Sequence, residues 1–279
     1  MPHRSQRHLR EIYGIDSAGQ GSGAPVPTPW QWDASDDSTI TRDGNDVDIW
    51  NGCSASGTER PQYDDVDTLN GLPVIKFDGV NDYLERSTVG ELFNTQQVSV
   101  FGVFRGHVNA EVLPGVFTLH RDPYPSWSGP WGLNALAFNN TSSKVETVRP
   151  HGAGPDPGLY PPGTYGDIAM SSTTLYTGGY FIYELHLDGS NASLRINGVE
   201  EINDGYASAY PIRPEIIRIG SSGLFGSDAL PSAGAGGFAE VDIAEILLYT
   251  DALSAADNNI MFTYLKEKWL PLSGYAWVP

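Results

Sequence analysis

Apolar and polar residues alternate from Phe181 to Asp188, where Phe181, Tyr183, Leu185 and Leu187 interleave with Ile182, Glu184, His186 and Asp188. A period of two is that of a strand with one buried face. The polar run Asp188 to Asn191 turns this strand into a second one, SLRI at Ser193 to Ile196. Asn197-Gly198, a pair that tolerates positive φ, turns it again. Ser99 to Phe104 is a nearly continuous apolar run and predicts a strand covered on both faces. Leu72 to Leu84 reads as two strands around a turn at Asp78 to Asp82, and Ile216 to Ile219 as another strand before a small-residue loop, Gly220 to Gly237. Near the start, Trp32 with Ile40, or Val47 with Ile49, are candidate core positions.

The pattern changes after Phe238 to Tyr249, the longest predicted strand. An acidic turn at Thr250 and Asp251 leads to Ser254, a helix cap with Asp257 three residues on. Ile260, Met261, Tyr264 and Leu265 then share one apolar arc opposite Asn259, Thr263, Lys266 and Glu267. Lys266 and Lys268 suit the negative end of the helix dipole, and Pro271 stops the helix. The predicted class is all-β: a jelly-roll sandwich of two antiparallel sheets braced by one C-terminal α-helix.

Composition agrees, since 32 Gly, 20 Pro, 14 Tyr and 7 Trp suit short strands and tight turns. With 34 acidic against 16 basic residues and a formal charge of −18, a nucleic-acid surface is excluded. Cations are better suited, and Asp33, Asp36, Asp37, Asp43, Asp46 and Asp48 are candidate calcium ligands. Their spacing does not match an EF-hand loop, and solvated turn acids explain them as well, so no metal residue is assigned. Cys53 stands alone, which rules out an intrachain disulfide and a cysteine-rich zinc site and leaves a half-buried thiol. No apolar run approaches membrane-spanning length, and no apolar segment follows the basic start to suggest a signal peptide.

Two stretches are irregular. Residues 1–29 read as an arm and Gly/Pro-rich linker before a domain at 30–279, either a leader without structure or an anchor that orders against another subunit. Residues 121–166 place Tyr124, Trp127, Trp131, Tyr160 and Tyr165 on Pro/Gly loops. Aromatic rings on such loops can stack on the C–H face of a sugar, so these five are the candidate carbohydrate-binding residues; packing on the sandwich or on a neighbour is the alternative. His120 and His151 carry no ligand spacing.

Several motifs occur together: WDAS at Trp32 to Ser35, VIKFDGVNDYL at Val74 to Leu84, LRINGVE at Leu194 to Glu200, IRIG at Ile217 to Gly220, and IAEILLY, ALS and YLKEKW towards the end. Together they resemble a laminin G-like domain of the concanavalin A-like lectin/glucanase superfamily over roughly Trp30 to Leu270. The resemblance implies a jelly roll and a non-enzymatic adhesion or glycan-binding module, of a kind found in bacterial surface proteins and phage virions. The expected setting is therefore a virion protein made in the host cytoplasm, its arm contacting other virion subunits, with polysaccharide as a second partner; a bacterial surface lectin is the alternative. EVDIAE, Glu240 to Glu245, also resembles the E-x-D-x-x-E core of laminarinase-like retaining glycoside hydrolases. That likeness would make Glu240 nucleophile, Asp242 its helper and Glu245 acid/base. On a regular strand Glu245 faces away from Glu240 and Asp242, so catalysis requires a bulge near Ala244. Without one, Val241, Ile243, Leu247 and Tyr249 face the core and Glu245, among them, is a buried carboxylate with a hydrogen-bonded partner.

Overall fold

The computed structural model describes residue 26 and residues 30–55, 59–107, 114–120, 133–139, 144–149, 168–175, 179–205, 212–221 and 237–270. The first half contains β1 (Trp30–Asp33), a 3-10 turn (Asp37–Thr39), β2 (Ile40–Asp43), β3 (Asp46–Trp50), β4 (Cys53–Ala55), β5 (Gln62–Leu69), β6 (Leu72–Asp78), β7 (Leu84–Ser87), β8 (Val98–Gly106) and β9 (Gly115–His120). The second contains β10 (Leu133–Asn139), β11 (Lys144–Arg149), β12 (Ile168–Leu175), β13 (Phe181–Leu187), β14 (Asn191–Ile196), β15 (Val199–Gly205), β16 (Ile216–Ile219), β17 (Glu240–Tyr249) and helix α1 (Ala255–Trp269).

All strand pairs are antiparallel and resolve into two sheets. One runs β5-β6-β17-β8-β13-β14-β15, with β1 beside β6 on the same edge of β17. The other runs β2-β3-β4-β7-β16-β9-β10-β11-β12. Among the described residues the Asp46 to Gln62 pair joins them at one end, and isolated bridges from Phe238, just before β17, to Gly115 and Ser221 join them at another place. The sheets meet through aromatic side chains: Trp32 of β1 sits edge-on to Phe117 of β9 at 5.6 Å, and Phe138 of β10 to Phe181 of β13 at 6.4 Å. The Tyr183 phenol crosses the same gap to Thr147 and the Ala135 carbonyl, so this buried hydroxyl is satisfied. The fold is the expected all-β sandwich.

Helix α1 explains why the central strands lack alternation in burial. It lies on the outer face of the first sheet, so β8 is buried along all but one residue and β13 throughout. Each enclosed Val, Leu, Ile or Phe contributes about 1.5–3 kcal/mol. The half-buried reading of Phe181 to Asp188 is corrected accordingly: Ile182, Glu184 and His186 face the helix side, not water. Ser254 caps α1 as predicted, its hydroxyl accepting from the Asp257 amide. Met261, Tyr264 and Leu265 are buried, whereas Ile260 is 38% exposed and Lys268, read as a dipole partner, is enclosed.

Two Asn-Gly turns hold the helix. Asn197 (φ 54°) and Gly198 (φ 77°) form the β14–β15 turn, and a Cβ on Gly198 would lie 2.8 Å from the Phe262 ring. At the β5–β6 turn, Asn70 donates its side-chain amide to the Lys268 carbonyl at 2.7 Å, occupying an acceptor at the helix end.

The two strands read around Asp78 to Asp82 exist but do not pair with each other. β6 pairs with β17, and β7 with β16, so this turn carries the chain from one sheet to the other. Within it Asp82 is buried and accepts from the Asp78 amide at 3.0 Å. Burial raises the Asp82 carboxyl to about 6, although the Asp78 amide works against this and Asp78 and Asp46 add repulsion. The folded chain therefore holds this proton more tightly than the unfolded one. The stability this contributes is complete below about pH 4 and is lost as pH rises through about 6. Asp82→Asn should thus gain up to about 2 kcal/mol on wild type at pH 7 and nothing at pH 3.5. Urea melts at both pH values measure it, and an equal gain at both would contradict the assignment.

Of the early core candidates, Trp32 and Val47 are fully buried and Ile40 packs against the core, but Ile49 is 38% exposed and Trp50 takes its place. Cys53 is not half-buried but fully enclosed, and burial pushes its thiol up to about 12, which leaves it a neutral packing residue.

Candidate functional site

Strand β17 carries all three carboxylates of EVDIAE, and a bulge decides their directions. Against β8, Ile243 lies opposite Phe104 and Glu245 opposite Val103, leaving Ala244 as the extra residue. The inserted residue reverses the parity, so Glu240, Asp242 and Glu245 share the outer face with Leu247 and Tyr249, while Val241 and Ile243 face the other sheet. The predicted grouping of Leu247 and Tyr249 with Val241 is corrected by this bulge. Both remain buried because α1 covers their face.

Glu245 is fully buried and its oxygens are saturated. Gln31 Nε2 donates at 2.7 Å, Tyr264 Oη at 3.0 Å, Trp269 Nε1 at 2.7 Å and Lys268 Nζ at 2.8 Å. Lys268 Nζ also donates to Asp33 at 2.5 Å. Burial pushes the Glu245 carboxyl up, and Lys268 opposes it. Burial likewise works to lower the Lys268 ammonium, but Asp33 and Glu245 outweigh it and hold it well above its ordinary value. One cation thus sits between two carboxylates, of which Glu245 is the more deeply enclosed. The predicted buried, partnered carboxylate is present, and one partner is Lys268, which the sequence reading had assigned only to the helix dipole.

Asp242 is held in a separate cluster. Arg105 Nε donates to it at 2.7 Å, Tyr180 Oη at 3.3 Å, and His107 Nε2 lies 3.4 Å away. Burial would raise the Asp242 carboxyl, but His107 and Arg105 together hold it below its usual value. Lys76 and Arg105 extend the network to Asp64 and Asp67. Glu240, at the start of the strand, is half-buried.

The acids considered for calcium are dispersed. Asp33 pairs with Lys268, Asp36 caps the 3-10 turn, and Asp37, Asp46 and Asp48 engage Arg42, Gln62 and Arg60. Among the described residues no group of three or more His, Cys, Asp or Glu could hold a metal ion. Tyr124, Trp127, Trp131, Tyr160, Tyr165 and His151 lie outside the described residues, as does nearly all of residues 1–29. Within that arm the Val26 carbonyl accepts from the Tyr249 hydroxyl at 2.8 Å. No helix among the described residues is long and apolar enough to cross a membrane.

An open depression lies on the other sheet, at β4 and β7. It has a volume of about 330 Å³ and is lined by Gly52, Ser54, Ala55, Tyr83, Glu85, Arg86 and Ser87. Asn51 (φ 43°) and Gly52 (φ 79°) form the β3–β4 turn at its rim, and Asn51 is tied by its side-chain amide to the Gln31 carbonyl at 2.5 Å. The Arg86 guanidinium rests over the Trp30 ring, 4.6 Å from its centroid. Glu85 accepts from Arg218 Nε at 2.9 Å, and Arg218 in turn lies over the Tyr83 ring at 5.1 Å. The sequence reading missed this site, although the Asn-Gly pair and the alternating LERS of β7 are visible signals for it.

No family model matches the chain, and no curated protein matches it. Solved structures do. A Trypanosoma rangeli sialidase in complex with sialic acid superposes with a TM-score of 0.52 at 13% identity, covering 95% of this chain and 38% of the sialidase. The binding domain of botulinum neurotoxin serotype D matches with a TM-score of 0.47 at 15% identity, covering 81% of this chain and 50% of that one. The chain therefore spans about half or less of the structures it matches. At such identity the likeness is one of fold: the chain is a β-rich sandwich of the kind found within larger proteins.

Proposed function

We propose that the protein is a non-catalytic, carbohydrate-binding sandwich of the concanavalin A-like, laminin G-like type, spanning residues 30–279. In this reading residues 1–29 anchor it to other subunits of a larger assembly such as a phage virion, and the glycan it meets belongs to a host surface. The observation that carries the reading is the contrast between the two faces. Glu245, which an acid/base mechanism would need in contact with sugar and water, is sealed beneath α1 and bonded to four donors, while the open polar depression with its aromatic neighbour lies on the opposite sheet. Stacking on a ring with hydroxyl and charged groups beside it is how a rigid β-surface recognises a sugar.

The bulge at Ala244 favours a second reading, a laminarinase-like hydrolase, because it puts all three carboxylates on one face. Incubating wild type and Glu240→Gln with polysaccharides, and measuring retention and released reducing ends separately, distinguishes the two. Retention by both proteins with no new reducing ends is expected. Hydrolysis by wild type that vanishes in Glu240→Gln would replace the binding reading. Purified virions probed for this chain test its setting, and its absence from them would favour a bacterial surface lectin.

A further inference from the structure

Arg86 is the exception among the arginines whose side chains are described. Arg42, Arg60, Arg105, Arg195, Arg213 and Arg218 each pair with a carboxylate. No such pair forms at Arg86 among the described residues, in a chain with 34 acids for 16 basic residues. With acids in such excess, an arginine held without one is unusual. Its position is nonetheless fixed from two sides. The guanidinium plane lies over Trp30, and Gly52 leaves the room beside it, since a Cβ there would sit 3.3 Å from Arg86 Nη1. The glycine is required twice, for that space and for its φ of 79°. The carboxylate nearest along the strand, Glu85, is already occupied by Arg218 through Nε at 2.9 Å and a second contact from Nη2. The acid in the depression is thus neutralised, and the remaining charge is the arginine's.

We propose that this depression binds a saccharide bearing a carboxylate, with Arg86 as the carboxylate's partner. The inference rests on the carbohydrate-binding reading and names the class of ligand and the site. A guanidinium presents its N–H donors in a planar fork that matches a carboxylate in two parallel bonds, and holding the fork in advance removes ordering cost from binding. A volume of about 330 Å³ lies at the lower end for ligand pockets and suits one or two sugar rings. Ser54 and Ser87 supply hydroxyls for the ring oxygens, and Tyr83 supplies an aromatic edge. A carboxylate fits better than a phosphate: one arginine balances a single negative charge, and a chain of formal charge −18 repels a dianion more strongly.

Calorimetric titration with oligogalacturonate and with a sialylated trisaccharide, each against its methyl ester and against inorganic phosphate, tests this directly. Wild type is expected to bind at least one free acid tenfold or more tightly than its ester and more tightly than phosphate. Arg86→Gln should lose that preference, and Arg86→Lys, which keeps the charge but not the fork, should lose most of it. Ser87→Glu, at an exposed position, places a fixed negative charge beside Arg86 and should weaken the acid without affecting the ester, which covers the case in which Arg86→Gln does not fold. Equal binding of acid and ester, or acid binding unchanged in Arg86→Gln and Ser87→Glu, overturns the assignment of Arg86 while leaving carbohydrate binding intact. Retention of no saccharide in either form overturns both.

Discussion

Lys268→Met is expected to lower the unfolding free energy by about 3–5 kcal/mol, the loss typical when one partner of a buried ion pair is removed. The lysine is the cation between Asp33 and Glu245, two acids exposed by 3% and 0% respectively. Without it both carboxylates must either stay ionised in an apolar setting or take up protons. Converting them as well, in Asp33→Asn/Glu245→Gln/Lys268→Met, should recover part of the loss, because each buried charge is then gone and the amide oxygen at position 245 still accepts from Gln31 and Tyr264, although its NH2 replaces the oxygen to which Trp269 donates. Urea melts of wild type, single and triple variants measure both steps. A loss below 1 kcal/mol for Lys268→Met would mean that the cluster is wet or loosely held and that α1 is not sealed on β17.

The second large effect belongs to a glycine. Gly220, at the end of β16, has φ 86°, and a Cβ there would lie 2.2 Å from Phe77 Cδ1 and 3.1 Å from the Asp82 carbonyl. Its amide donates to the Val116 carbonyl and its carbonyl accepts from Ala239, so the backbone cannot turn aside without losing both bonds. Gly220→Ala should therefore cost about 3 kcal/mol, roughly 1 from the left-handed backbone and 2 from the collision with a packed ring. Gly44→Ala is the control, since Gly44 also has positive φ (63°) but nothing within 4 Å of a Cβ. It should show only the backbone cost of about 1 kcal/mol. Equal losses in the two variants would show that Phe77 gives way and that the sheets are not closely apposed at this point.

Both effects bear on function through the same strand. Lys268 ties α1 to the outer face of β17 and so keeps Glu245 from water, the observation on which the proposed binding reading rests. Gly220 belongs to the sheet that carries the depression, where β16 pairs with β7 through Arg218 and Glu85. Each variant that still folds should therefore be assayed for saccharide binding as well as for stability.

The strands, the turns and the helix cap were legible in the chain because each depends on a short period or on a local pair of residues. Alternation marked β13, the apolar run marked β8, Asn197-Gly198 marked a hairpin, and Ser254 with Asp257 marked the start of α1. Burial of Glu245 was also anticipated, from apolar neighbours alone. The bulge at Ala244 was not determined by the strand itself, for it arises in the register against β8 and reverses which residues share a face. Lys268 reads as a dipole partner in a helix taken alone; only docking of α1 on β17 brings it to Asp33, 235 residues away in sequence. Arg86 likewise looks like any strand arginine until Trp30 and Gly52 come together beside it. Local spacing sets which residues form a strand or a cap, whereas the charges left unpaired or enclosed depend on contacts between distant segments, and those were decided by the packing of the two sheets and the helix.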